Sequence, residues 1–201
     1  EIIPVEKVAG AANTPPRTMV KVSDGSSAVT ALFEKSNRGA YPGVAAYRLD
    51  RLLKLDMVPV TVVREIDGDS GSLQFLPANS SNEVERSASG QGGGANCSIP
   101  EQWSAMYVFD VLIFNEGRSQ QRMLYDRSTW GLILSEHERA FSTRKGRPAH
   151  LKKAPIPISP GWKQALAELT DNVLVENLGD VLDKRRLTAL MSRRDELLAS
   201  P

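Results

Sequence analysis

Between Asn79 and Ile99 the chain reads NSSNEVERSASGQGGGANCSI, polar, rich in glycine and serine and nearly free of large apolar groups. A stretch of this kind has little to contribute to a core, and it reads as a flexible connector. It divides the 201 residues into halves of different pattern. Before it lie β-prone runs and one helical stretch, and after it the periodicity is mostly helical. The expected class is therefore α+β, in two parts: residues 1–99, β-rich and ending in the connector 79–99, and residues 100–201, helical with a small hairpin. The run Gly90–Gly94 is no phosphate-binding loop, because no Gly-Lys-Ser/Thr follows it and no strand precedes it.

Local signals place the elements. Thr18–Val22 and Ala28–Phe33 flank the turn-rich Ser-Asp-Gly-Ser-Ser and predict a hairpin, while Pro15 and Pro16 keep GAANTPPR a loop. PGVAAYRLDRLLKLD predicts a helix with Pro42 near its start and an apolar face of Val44, Tyr47, Leu49, Leu52 and Leu53. Val60, Val62 and Val63 lead through the Ile66-Asp67-Gly68 turn into a strand over Ser72–Leu76. Further on, Glu101–Phe114 reads as a helix, and Met123–Tyr125 and Gly131–Leu134 as short strands. Gly161–Leu169, Asp171–Gly179 and Lys184–Leu198 read as helices, with Thr170 and Asp183 as caps. Trp103, Trp130 and Trp162 are spaced too irregularly for a base-stacking platform and are assigned to packing.

Composition narrows the function classes. A net charge of +1 creates no field for nucleic acid or an anionic membrane. No apolar run approaches the roughly 18 residues of a membrane span. The lone Cys97 excludes an internal disulfide, and two histidines, His137 and His150, argue against a histidine metal site. The chain opens at Glu1 rather than Met and shows no signal-peptide pattern, so it reads as a trimmed fragment whose targeting segment would lie upstream. The compartment, exported or cytoplasmic, stays open.

Several segments carry a resemblance. GVAAYRLDRLLKLDMVPVTVVREIDGDSGSLQ, VFDVLIFNEGR, LSEHERAF and LGDVLDKRRLTALMSRRDELL resemble, in that order, the N-lobe helix with its strands, the catalytic segment, the metal-binding segment and the C-terminal helices of atypical kinases. The bacterial relatives of the Fam-twenty and four-jointed secretory kinases are the nearest pattern, with HipA and the phosphoinositide kinases further out. The resemblance runs from about Val20 to Leu198 and implies a two-lobed protein-kinase-like fold.

Position by position, the resemblance implies a degenerate site. Where the relatives carry a phosphate-binding Lys after "A-x-F", this chain has Glu34. Their helix Glu is Gly43, and their catalytic-base Asp is Gly117. A metal-holding Asn or acid is Arg122, and the metal-binding Asp is Glu136, a carboxylate on a longer arm. Arg118, His137, Arg139 and Phe141 match. Phosphoryl transfer depends on cations around the phosphates and a carboxylate that orients the acceptor. Glu34 reverses the first charge, Gly117 offers no proton acceptor, and Arg122 puts a permanent cation where magnesium needs oxygen donors. Arg122 is expected to stand in for the metal and hold Glu136.

The reading that follows is a pseudokinase with no catalytic residue and no cofactor, acting by binding, scaffolding or allosteric control with a protein partner. Two alternatives stay open. One is an active kinase or nucleotide-dependent transferase using ATP with Mg or Mn, with Glu136 on the metal and Lys21 or Lys35 on phosphate. Against Lys35, a one-residue offset on a strand points it to the opposite face. The other is a structural module whose cleft is filled by its own side chains. Glu116 and Asp126 read as solvated acids, His137 as a hydrogen-bonded structural histidine, and Arg118 and Arg139 as ties from loops to backbone or carboxylates. The basic run Ser142–Lys153, with Arg144, Lys145, Arg147, Lys152 and Lys153, reads as a solvated loop or a docking patch for an acidic partner or phosphate.

Overall fold

Asp24 closes the first hairpin. Its carboxylate accepts from the amides of Ser26 and Ser27 at 2.9 and 2.8 Å, a side-chain turn that fixes where the two strands part. The same hydrogen bonds hold its pKa down to about 2. In the computed structural model, which describes residues 2–8 (of 3–8 the backbone path alone), 17–36 and 39–200, this hairpin belongs to a five-stranded antiparallel sheet. The strands are β1 (Ile2–Val8), β2 (Arg17–Ser23), β3 (Ala28–Lys35), β4 (Thr61–Ile66) and β5 (Asp69–Phe75), in the order β1-β2-β3-β5-β4. Strand β1 stands where the sequence reading assigned no element. Most of the loop expected over GAANTPPR, residues 10–16, lies outside the described residues.

Register sorts the sheet into two faces. Arg17 pairs with Glu34, Glu34 with Ser72, and Thr61 with Gln74, so these side chains share one face. The other face carries the buried cluster Val20, Ala31, Phe33 and Leu73. Helix α1 (Pro42–Leu53) lies on the first face. A Cβ on Gly43 would stand 3.3 Å from Ser72 Cβ and 3.5 Å from Thr61 Cγ2, so the glycine sets how closely helix and sheet approach.

Two elements occupy the first half of the stretch expected to be a flexible connector. Strand β6 (Ser80–Asn82) is followed by helix α2 (Glu83–Ser89). A capping box between Asn82 and Glu85 starts the helix, and Arg86 forks onto Glu83 at 2.7 and 2.8 Å. Strand β6 pairs with β7 (Met123–Asp126), which pairs with β8 (Leu132–Leu134). Polar contacts order this segment where apolar ones are scarce, which is why composition misjudged it.

The rest is helical: α3 (Ile99–Leu112), α4 (Pro160–Glu168), α5 (Asp171–Leu178) and α6 (Lys184–Leu198). Ser98, Ser159, Thr170 and Asp183 cap them. The main core runs through both halves: Val44, Ala45 and Leu49 of α1 join Phe109, Leu112, Tyr125, Leu134, Leu174 and Leu190 in one cluster. The three tryptophans pack against its edge, as expected. Polar ties add to this. Tyr41 donates its amide to the Val181 carbonyl at 3.0 Å, and Arg48 reaches the Asn177 carbonyl and the Asp180 carboxylate. Helix α1 is thus fastened to the helical half as well as packed on the sheet. No described helix is long and apolar enough to cross a membrane.

Candidate functional site

The loop after α3 is built around a buried carboxylate. Asp110 is fully buried, and Arg118 forks onto it at 2.9 and 3.0 Å. Asn115 donates to Asp110 at 2.9 Å and accepts from the Gly117 amide at 2.9 Å. Arg118 also donates to the Arg122 carbonyl at 3.2 Å. The sequence reading assigned no role to Asp110 or Asn115; Arg118 does tie the loop, as expected.

This scaffold aims Arg122 at two carboxylates. Its Nε lies 3.0 Å from Glu136 Oε2, and its Nη1 lies 2.8 Å from Glu138 Oε1 and 3.3 Å from the Gly117 carbonyl. A Cβ on residue 117 would stand 2.9 Å from that Nη1. The glycine and the arginine therefore depend on each other, because a side chain at 117 would occupy the space the guanidinium fills. Glu136 has a left-handed backbone, φ +59°, a conformation that is uncommon outside glycine.

Arg17 completes the cluster from the sheet. It hydrogen-bonds the same Glu136 Oε2 that Arg122 holds, and so bridges the two halves of the chain. Directly opposite it on β3 is Glu34, 7% exposed. Burial raises the Glu34 pKa from 4.5 to about 8, with the Glu138 and Glu136 carboxylates adding to the shift and Arg17 and Arg122 opposing it. Glu34 is therefore mostly protonated at neutral pH. Three buried atoms of the cluster, Arg17 Nε, Glu34 Oε1 and Glu138 Oε2, have no hydrogen-bond partner among the described residues.

The structure brings Glu34, Gly117, Arg122 and Glu136 together and adds Arg17 and Glu138, which the sequence reading missed. Gly43 is taken up in helix–sheet packing. Lys35 pairs with Asp69 on the surface, on the opposite face from Glu34. Lys21 shares the Arg17 face but is exposed opposite Thr30. Glu116 pairs with the exposed Arg144 at 3.1 Å, and Asp126 caps its own turn at the Ser128 amide, 2.7 Å away. Arg147 donates to the Ala154 carbonyl, while Lys145 and Arg139 are exposed. His137 is buried, as a structural histidine is expected to be. However, neither ring nitrogen has a partner among the described residues, and the ring meets Phe109 edge-on at 6.2 Å. Burial, with Arg118 nearby, lowers its pKa well below the usual value and keeps the imidazole neutral.

No protein-family model matches the chain, and no curated protein matches it in sequence. Solved structures do. The Helicobacter pylori proinflammatory kinase CtkA superposes with a TM-score of 0.57, at 9% identity over 89% of both chains. The fold is kinase-like. HipA, from the toxin–antitoxin complex of HipA, HipB and operator DNA of Shewanella oneidensis MR-1, superposes with a TM-score of 0.55, at 9% identity over 99% of this chain and 71% of that one. At such identities the likeness establishes architecture and nothing finer. In this kinase-like fold the five-stranded sheet with α1 is one lobe, and the helices with the β6–β7–β8 sheet are the other. The Arg17–Glu136–Arg122 cluster joins them.

Proposed function

We propose that the protein is a pseudokinase: a degenerate relative of the atypical secretory kinases that uses a kinase-like fold for binding or regulation rather than phosphoryl transfer. The observation that carries this reading is the placement of Arg122. Its guanidinium fills the space in front of Gly117 and engages both Glu136 and Glu138. A divalent metal does not fit this donor set, because two permanent cations already bind the Glu136 carboxylate. The close packing of Gly43 supports the same reading, since an acidic side chain that would pair a lysine there would press on Ser72 and Thr61. A helix α1 fastened to both lobes suits a scaffold better than a part that swings.

The HipA neighbour was solved with a protein partner, HipB. A protein partner for this chain belongs to the same proposal, with the basic loop of Arg144, Lys145 and Arg147 as one surface to test.

The deciding experiment is label transfer from ATP in magnesium or manganese, to the protein itself or to generic acceptors. No transfer above background is expected. Metal-dependent transfer that disappears in Glu136→Ala would overturn the reading in favour of an active kinase. One observation favours that second reading: Arg17 supplies a cation on the sheet face, directly opposite Glu34, where the relatives' Lys is missing.

A further inference from the structure

Two guanidinium groups converge on one oxygen: Arg17 and Arg122 both bind Glu136 Oε2. Paired guanidiniums around an oxyanion are a common way to hold phosphoryl and carboxylate groups. Here the oxyanion comes from the chain itself. It is also the most accessible member of the cluster, its side chain 24% exposed against 8% for Arg17, 17% for Arg122 and 3% for Glu138. Glu136 lies in the loop after β8, so it can withdraw without breaking a strand or a helix.

The atoms around it are mismatched to a carboxylate alone. Arg17 Nε is an unused donor, and Glu34 Oε1 and Glu138 Oε2 are unused oxygens, all three buried. An ionised carboxylate only accepts hydrogen bonds. Hydrogenphosphate presents several acceptor oxygens and one O–H donor, and can serve an N–H and a carboxylate oxygen together.

We propose that Arg17 and Arg122 form a phosphoryl-binding site that Glu136 occupies from within, and that a phosphate group enters without a divalent metal by displacing Glu136. This deepens the pseudokinase reading and rests on it, because the arginines take the place of the metal. With Glu136 withdrawn, two guanidiniums face the single carboxylate of Glu138, which leaves the site net positive. Burial holds the Glu34 carboxyl above its ordinary range, which weakens its opposing charge. Inorganic phosphate and the terminal phosphate of a nucleotide share this chemistry.

The test is calorimetric titration and thermal unfolding of the whole chain in chelator, with inorganic phosphate, ATP and adenosine as separate arms. The wild type is expected to give a weak, saturable response to millimolar phosphate that Arg17→Met removes. Glu136→Ala and Glu136→Gln are expected to bind phosphate about tenfold more tightly, and adding Arg122→Ala to either is expected to abolish the gain. ATP binding well above phosphate, with adenosine binding too, identifies a nucleotide as the ligand; equal binding identifies free phosphate. Folded Glu136 variants that respond no more than wild type overturn the site, as does a response that survives loss of Arg122. If neither Glu136 variant folds, a flat wild-type titration overturns it alone. Metal-dependent label transfer by the wild type would instead remove the pseudokinase reading, so the two failures are distinguishable.

Discussion

Arg17 and Glu136, 119 residues apart in sequence, form an ion pair that links strand β2 of one lobe to the loop after β8 in the other. Arg17 is almost entirely buried, so removing its partner leaves a desolvated cation, and removing Arg17 leaves Glu136 with Arg122 alone. Breaking one side of a buried pair costs about 3 kcal/mol. Arg17→Met is expected to lose about that much in urea unfolding, and Glu136→Gln somewhat less, because its carboxylate is partly solvated. The double variant is expected to fall short of the sum by at least about 1 kcal/mol, the coupling typical of contacting residues. Additive losses would mean that the pair carries no interaction energy between the lobes.

Glu34 makes stability depend on pH. Burial raises its folded pKa to about 8 from 4.5. A carboxyl with a raised folded pKa contributes fully below its unfolded value, and the contribution is lost as pH rises through the folded value. At about 1.4 kcal/mol per pH unit, the loss across pH 4.5 to 8 is on the order of 5 kcal/mol. Glu34→Gln keeps the shape and cannot ionise. Its melting temperature relative to wild type is therefore expected to rise steadily between pH 5 and 8 and to level off above that. Parallel curves for the two proteins over this window would show that Glu34 does not stay protonated in the folded chain.

The two sides of the Arg17–Glu34 pair differed in how far the sequence revealed them. Glu34, Gly117, Arg122 and Glu136 were legible because each falls inside a motif of fixed spacing, and a wrong charge in such a motif is visible without coordinates. Arg17 follows Pro15 and Pro16, which mark it as loop and start the expected strand at Thr18. Counting the hairpin back from the Ser23–Ala28 pair would have placed it opposite Glu34. Glu138 lies two residues beyond Glu136, and nothing in its spacing says which way it points. Strand β1 was hidden by Pro4, which is tolerated on an edge strand and sits at a register shift. Helix α2 escaped because its order comes from the Asn82–Glu85 box and the Arg86 fork rather than from an apolar stripe. The amphipathic helices α1, α5 and α6 emerged close to their predicted bounds, since their order comes from burial of a periodic face.

Gly117 and Arg122 are expected to be energetically coupled. An alanine Cβ at 117 would crowd Arg122 Nη1 at 2.9 Å. The arginine is flexible and can move, but moving costs it the hydrogen bonds to Glu138 and the Gly117 carbonyl. Gly117→Ala is therefore expected to destabilise by about 1–2 kcal/mol, the scale of one charged hydrogen bond lost at a buried site. In an Arg122→Ala background the same change is expected to cost less, the remainder coming from Asn115 Oδ1, which would lie 3.2 Å from the new Cβ. Equal costs in both backgrounds would show that residue 117 is limited by something other than the guanidinium.

Gly71 holds β5 against β3 at a distance that no other residue allows. A Cβ there would stand 2.3 Å from the Glu34 carbonyl oxygen and 2.7 Å from the Phe33 ring. The oxygen is backbone within the sheet, where Lys35 pairs with Gly71 and Glu34 with Ser72, so it cannot yield without opening the ladder. Gly71→Ala is expected to cost more than about 3 kcal/mol, at the upper end of overpacking penalties. Gly93→Ala is the control: its Cβ would meet nothing within 4 Å, and a change within about 0.5 kcal/mol is expected. Gly71→Ala also tests how far the site depends on β3, because displacing the Glu34 backbone moves its carboxyl away from Arg17. The pH dependence assigned to Glu34 is then expected to shrink in any Gly71→Ala protein that still folds. If it kept its full size, the carboxyl would be held by its surroundings rather than by the strand, and the close contact at Gly71 would matter for stability alone.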